Sequence, residues 1–268
     1  MRLIIGFDDT AYGRDALELG LRLAATSGEI PTVATVYPDD DAIVDATEAR
    51  QNAERRLDAA RAVVGGRANV RFEAIGPTYA SLGLHEYAEQ TGADLLVVGS
   101  SEHAPTGAIT PDSTVERLLN GAPCPVAVAP RGYRECSTAI GDIAVAYDGS
   151  PEAQRALGIA VQLAQRINAS LRLVAVAREP DEALSAALDV ASRELPPSLK
   201  VTTEVVIGPD VADTLADLPH QRPDLLVCGS RGVGPRRRVL LGSASTRLIR
   251  SAAYPVIVVP HTLGQVDT

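Results

Sequence analysis

Residues 223–230 read Pro223-Asp224-Leu225-Leu226-Val227-Cys228-Gly229-Ser230, and residues 93–100 read Ala93-Asp94-Leu95-Leu96-Val97-Val98-Gly99-Ser100. Both stretches run from an acid through four apolar residues into Gly-Ser. A short, continuously apolar run of this kind is the pattern of a strand buried on both faces of a sheet. The near identity of two such runs in one chain points to an internal repeat, and the rest of the sequence follows suit.

Further matches extend the repeat in both directions. Downstream, Arg117-Leu118 and Pro125-Val-Ala-Val-Ala-Pro130 recur as Arg247-Leu248 and Pro255-Val-Ile-Val-Val-Pro260. Upstream, Ile75-Gly76-Pro77 recurs as Ile207-Gly208-Pro209. Leu3-Ile-Ile-Gly-Phe-Asp8-Asp9-Thr10 resembles Ile143-Ala-Val-Ala-Tyr-Asp148-Gly149-Ser150, and Ala16-Leu17 matches Ala156-Leu157. The chain therefore reads as a tandem duplication. Half one spans 1–130, a linker spans 131–140, and half two spans 141–260. Gly132, Ser137 and Gly141 are the expected flexible points of the linker.

Within half two, strands are expected at 142–147, 171–176, 200–207, 224–228 and 255–259. Ala153, Ala156, Leu157, Ala160, Val161 and Ala164 recur at helical spacing, and Ser150 with Pro151 reads as a helix start. A second helix is expected over 181–195, stopped by Pro196-Pro197. A short helix should follow Pro209, and another should run from about 243 to 251. Strands alternating with helices define the fold class as α/β: two five-stranded, mainly parallel sheets, each covered on both faces.

In open parallel sheets, ligands sit at the strand carboxyl ends where the strand order reverses. Two loops leave such ends in half two. One carries Asp148, Gly149 and Ser150 after the first strand. The other begins Gly229-Ser230-Arg231-Gly232 after the fourth and closes nine residues later at Gly242-Ser243. In a 3-2-1-4-5 strand order these loops flank one crevice. Gly229, Gly232 and Gly242 permit left-handed or close-approach backbone. Ser243, Ala244 and Ser245 would present N–H groups at a helix start, which favours anions, and the two serines add hydroxyl donors. Arg236, Arg237 and Arg238 are either a solvated basic loop or phosphate contacts. Asp148 is either a ligand carboxylate, able to accept from ribose hydroxyls or an adenine amine, or a turn and cap residue. Backbone near Val176 could read an adenine edge, or Val176 could be core.

These residues resemble the universal stress protein family, with two such domains in tandem across nearly the whole chain. Gly229, Gly232, Gly242 and Ser243 match every fixed position of that family's nucleotide pattern, and Asp148-Gly149-Ser150 matches its early acidic turn. The resemblance implies Rossmann-like domains akin to the adenine nucleotide alpha hydrolases, with strand order 3-2-1-4-5. It also implies ATP binding with Mg²⁺, pairing of two domains along their final strands, and a regulatory role in stress adaptation or dormancy. An adenine nucleotide and an unidentified protein are the expected partners. Catalytic residues and metal ligands are not assigned. A slow metal-dependent ATP hydrolase or nucleotidyl-transfer enzyme, centred on Asp148, is the alternative.

Half one departs from this pattern. Gly99 and Ser113 are in place, but Glu102 and Asp112 occupy the second and third glycine positions, and Asp9 replaces the glycine after the first strand. At ~4 Å and an effective dielectric of 20, each acid would repel a phosphate charge by about 4 kcal/mol. Half one is therefore expected to bind ATP weakly or not at all, unless its loop has rearranged around a metal-bridged nucleotide.

Composition narrows the function classes. The 268 residues carry a net charge of −9, which argues against a general nucleic-acid binder. Aromatic residues make up only 3% against 46% hydrophobic residues overall, so the core must be built from Ala, Val, Leu and Ile. Cys124, Cys136 and Cys228 form neither a zinc spacing nor a disulfide framework. Cys228 reads as a buried strand-end residue. No signal segment or membrane-length apolar run is seen, so a cytoplasmic location is expected. Asp8-Asp9 resembles the acidic pair of a phospho-receiver site, but the single lysine, Lys200, lies in the other half, which argues against that site and against a Walker loop. The four histidines are scattered. The apolar final strands, 125–129 and 255–259, are expected to pair within one chain as a pseudo-dimer. Pairing of two chains is left open.

Overall fold

The computed structural model describes residues 1–25, 30–38, 46–76, 78–136, 139–218, 222–230 and 242–260. Half one runs β1 (Leu3–Gly6), α1 (Ala11–Ala24), β2 (Thr32–Val36), α2 (Ala46–Val64), β3 (Arg71–Ile75), α3 (Ala80–Thr91), β4 (Leu95–Gly99), α4 (Ser113–Gly121) and β5 (Val126–Ala129). Half two repeats the order as β6 (Asp142–Ala146), α5 (Pro151–Ile167), β7 (Ser170–Ala177), α6 (Glu182–Arg193), β8 (Val201–Ile207), α7 (Val211–Ala216), β9 (Leu225–Gly229), α8 (Ser243–Ser251) and β10 (Val256–Val259).

Each half has the order 3-2-1-4-5 with all pairs parallel, and the two five-stranded units join into one ten-stranded sheet. The seam is the antiparallel pair β5–β10, with Val128 opposite Val256 and Val126 opposite Val258. Each of these strands would otherwise expose an unpaired apolar edge, and the pairing removes both edges at once.

Strand side chains alternate between two cores. Ile5, Val97, Ile143 and Val227 face α1, α2, α5 and α6. Ile4, Leu96, Ala144 and Leu226 face α3, α4, α7 and α8. The scarcity of aromatics is met by small-residue packing: α5 buries Ala153, Ala156, Ala160 and Ala164 along one stripe, so its backbone lies close to the sheet. Capping sets where α5 begins and ends. Ser150 Oγ accepts from the Ala153 N–H at 3.1 Å, Pro151 takes the first turn, and Asn168 ends the helix at φ 55°. Asp181 likewise stands outside α6 and caps it by accepting from the Leu184 N–H, and α6 stops at Arg193, two residues short of the expected end.

The described linker residues are held rather than free. The Asp15 carboxylate, fully buried on α1, accepts from the Gly132 N–H at 2.8 Å, the Arg134 N–H at 3.0 Å and the Arg134 guanidinium at 3.2 Å. Tyr133 is buried in the short 3₁₀ turn Tyr133–Glu135, with the Arg22 guanidinium 4.8 Å from its ring centre. At the far end, Asp224 accepts from the Gly141 N–H at 2.8 Å. Gly132 and Gly141 are therefore pinned points, contrary to the flexibility expected of them. Ser137 lies outside the described residues.

Candidate functional site

A cavity of 370 Å³ opens at the carboxyl ends of β6, β7 and β9, over the first turn of α8. Its apolar lining includes Ala146, Val174, Val176, Val211, Leu215 and Cys228. Its polar end carries Asp148, Ser150, Gly229, Ser243 and Ser245. Burial pushes the Cys228 thiol up to about 12, so it stays protonated and belongs to the apolar wall. Burial, with smaller contributions from Glu194 and Asp148, also raises the pKa of Tyr147 at the rim.

The structure brings most of the expected residues of half two to this cavity and gives several of them specific work. Asp148 is exposed at the mouth, where its Oδ1 accepts from the Ser150 N–H at 3.0 Å. Gly149 has φ 78° and makes the turn without lining the cavity. Gly229 is a site of close approach, since a Cβ there would lie 2.9 Å from Glu152 Cβ. Ser230 is buried and ties the loop ends together: its N–H donates to the Val259 carbonyl at 2.9 Å and its carbonyl accepts from the Gly242 N–H at 2.8 Å. Val176 faces the cavity from β7. Arg231, Gly232 and Arg236–Arg238 lie outside the described residues.

Two expectations are corrected. Gly242 has φ −60° and ψ 152°, an extended conformation open to any residue, so the left-handed alternative is excluded for it. Its distinguishing property is the missing side chain, because α8 has no side-chain cap among the described residues. Ser245, expected as a hydroxyl donor to ligand, donates instead to the Gly229 carbonyl at 3.0 Å and is 5% exposed. That bond fixes the first turn of α8 against the end of β9.

The sequence reading missed Val211, Leu184 and Ala153 at the cavity. Val211, 49% exposed, is an apolar residue at the first position of a helix that follows a strand. That placement was the available signal. Ala153 could have been found from the repeat, because its counterpart is Gly13, another small residue beneath the acidic turn.

The corresponding cavity in half one measures 110 Å³. Asp112 caps α4, its Oδ1 accepting from the Val115 N–H at 2.8 Å. Asp8 turns back over Gly13 and accepts from the Thr10 hydroxyl at 2.6 Å. Tyr12 lines the cavity, and burial followed by the Asp8 charge raises its phenol pKa. Asp9 adopts the left-handed turn conformation at φ 58°. Glu102 does not face this cavity. Its carboxylate is exposed, 3.4 Å from His103 Nε2, so one acid rather than two stands at the expected phosphate position.

The loop between β4 and α4 closes on itself. Ser101 and Thr110 are joined at 2.9 Å, and the Thr110 N–H donates to Ser100 Oγ at 2.7 Å. The Arg131 guanidinium donates to the carbonyls of Glu102 and Ala104 at 2.9 and 2.7 Å, and Ala104 and Ile109 are fully buried.

A duplicated parallel α/β protein, each half with a crevice between its first and fourth strands, is the class defined by this arrangement. The universal stress protein family model matches residues 1–130 and again 140–260, and the chain belongs to that family. A universal stress protein of Mycobacterium tuberculosis is 27% identical over 302 residues, covering 97% of this chain and 100% of the relative. One from Thermus aquaticus is 32% identical over 133 residues, covering 44% of this chain and 96% of its own length. The crystal structure of a universal stress protein from Archaeoglobus fulgidus has the same fold, with a TM-score of 0.72 at 21% identity over 96% of this chain and 95% of that one. Among the described residues no helix is long and apolar enough to cross a membrane, and no cluster of three or more His, Cys, Asp or Glu is placed to hold a metal.

Proposed function

We propose that half two binds one adenine nucleotide, ATP with Mg²⁺, and that the protein is a nucleotide-sensing regulatory module in stress adaptation or dormancy. The observation that carries this reading is the 370 Å³ cavity, lined by apolar side chains and by the first turn of α8, which has no side-chain cap among the described residues. Val174, Val176, Val211 and Leu215 suit a purine face. The N–H groups at the start of α8 suit phosphate oxygens, since unsatisfied donors and the helix dipole both favour an anion there. Asp148 is the carboxylate at the polar end, within the same cavity, and would hold ribose hydroxyls. Mg²⁺ would supply charge neutralisation along the polyphosphate. A sensor acts through its differential affinity for two states, and the glycine loop between Ser230 and Gly242 is the element that nucleotide would bias.

Calorimetry with Mg-ATP is expected to give about one strong site per chain. At a ligand excess of about 100 Kd the gain is about 2.7 kcal/mol, a rise in Tm of roughly 5–10 °C. Gly232→Glu, which replaces a glycine of the proposed phosphate loop, should weaken binding at least tenfold. A protein purified empty, with no thermal shift on adding Mg-ATP, would remove the nucleotide reading. Bound ADP with steady turnover would replace the sensor by the hydrolase.

A further inference from the structure

We infer that half one is closed to nucleotide by its own side chains, with Asp112 acting as a built-in substitute for the anion. The inference rests on the reading that the start of α8 seats phosphate in half two. Under the duplication, Asp112 is the counterpart of Gly242, and Val115 is the counterpart of Ser245. In half one the Asp112 carboxylate accepts from the Val115 N–H at 2.8 Å, so a donor whose half-two counterpart has no side-chain cap among the described residues is already satisfied. Three further features close the same pocket. Tyr12 stands in it, Asp8 is folded back against Thr10 and Gly13, and the loop that follows β4 is held by Arg131 and by the Ser100–Thr110 pair. The remaining space is 110 Å³ against 370 Å³ in half two.

This closure differs from exclusion by charge. Glu102 faces solvent, so the acids lining the pocket are Asp8 and Asp112, and both are already engaged as hydrogen-bond acceptors. Occupancy of the helix end by a hydrogen-bonding cap is a geometric property, and a neutral cap would preserve it. Asn and Asp cap helices about equally well, whereas Gly leaves the end open.

The test uses the full chain with Tyr12→Ala, to remove the ring, and compares Asp112→Gly with Asp112→Asn in that background. Binding of Mg-ATP, and of inorganic phosphate as the small probe, is followed by calorimetry and by amide exchange at Val115. The Gly variant is expected to gain a second site, at least tenfold tighter than any binding to half one in the Asn variant, with protection of Val115 restored by either probe. The Asn variant is expected to keep one site and a protected Val115. If both variants gain the site, charge excludes the nucleotide and the inference is overturned. If neither does, the closure lies elsewhere and the inference is equally overturned. Should the double variants lose secondary structure, Asp112→Ala and Asp112→Asn with Tyr12 intact are compared by amide exchange at Val115 with inorganic phosphate, and only the Ala variant is expected to lose protection and regain it with the probe. The Val115 readout is local to half one, so loss of binding in half two alone would count against the nucleotide reading and leave this inference standing.

Discussion

In half one the segment from Ser100 to Asp112 is held by hydrogen bonds among Ser100, Ser101 and Thr110, by the Asp112 cap and by Arg131. In half two the Gly242 N–H donates to the Ser230 carbonyl, and the start of α8 has no side-chain cap among the described residues. The strands, their order and the helix that follows are the same in both, so the scaffold does not decide between a closed pocket and an open one. A few side chains do. Asp112 against Gly242 sets whether the helix end is occupied, and Tyr12 against Glu152 sets whether a ring enters the pocket. Arg131, reaching the Glu102 and Ala104 carbonyls, anchors the loop in half one. Duplication thus supplies two copies of a binding frame, and side-chain capping can retire one of them without disturbing the sheet.

The largest expected effect comes from moving the cap across. Gly242→Asp places a carboxylate at the start of α8 in a backbone conformation that accepts it. It should raise stability slightly, by about 0.5 kcal/mol, through capping and the helix dipole. It should also remove charge-assisted hydrogen bonds to phosphate worth about 4 kcal/mol together, close to three decades in Kd. Tm in the absence of ligand and affinity for Mg-ATP should therefore move in opposite directions. A fall in both, or an unchanged affinity, would break the comparison between the halves.

Next in size is the contact that only half one makes. Asp15→Ala strips the acceptor from the Gly132 and Arg134 amides and removes one partner of the Arg134 guanidinium, which keeps the Ala11 carbonyl. The expected cost is about 3 kcal/mol by urea unfolding. A loss below about 1 kcal/mol would mean that the linker turn is not anchored through this carboxylate.

How much of this was legible in the sequence differs by level. The repeat of residues 93–100 in 223–230, with the matching first and last strands, was enough to read ten strands, their division into two halves and the pairing of the apolar edges. Those features depend on local apolar runs and on chain order, both written in the sequence. The close approach at Gly229 was also readable, because a glycine at a strand end next to a helix has few other reasons to be there. Side-chain direction was not. Nothing in the order of residues says that Ser245 turns its hydroxyl onto the Gly229 carbonyl, that Glu102 points to solvent, or that Gly242 sits at an ordinary φ. Nor could the linker's docking be foreseen, since the acceptor at Asp15 is 117 residues from Gly132. Such partners are set by packing across the fold rather than by spacing.

The smallest expected effect concerns the turn after each first strand. Gly149 and Asp9 hold the same left-handed conformation, at φ 78° and 58°. No atom lies within 4 Å of a Cβ built at Gly149, so only backbone strain opposes a side chain there. That strain is roughly 1 kcal/mol for an L-residue, partly offset by the lower entropy of the unfolded chain. In half one Arg14 bonds the Asp9 carboxylate at 2.7 Å across a partly exposed surface, a pair worth about 0.5 kcal/mol. The counterpart of Arg14 in half two is Gln154, which carries no charge. Gly149→Asp should therefore cost about 1 kcal/mol, and adding Gln154→Arg should recover about half of that. Asp9→Gly should be close to neutral, because relief of strain offsets the lost ion pair and the gain in unfolded-chain entropy. Urea unfolding of the three variants, each against the parent chain, measures all three quantities. A cost of 3 kcal/mol or more for Gly149→Asp would mean that the two turns, alike in φ, are held by different forces.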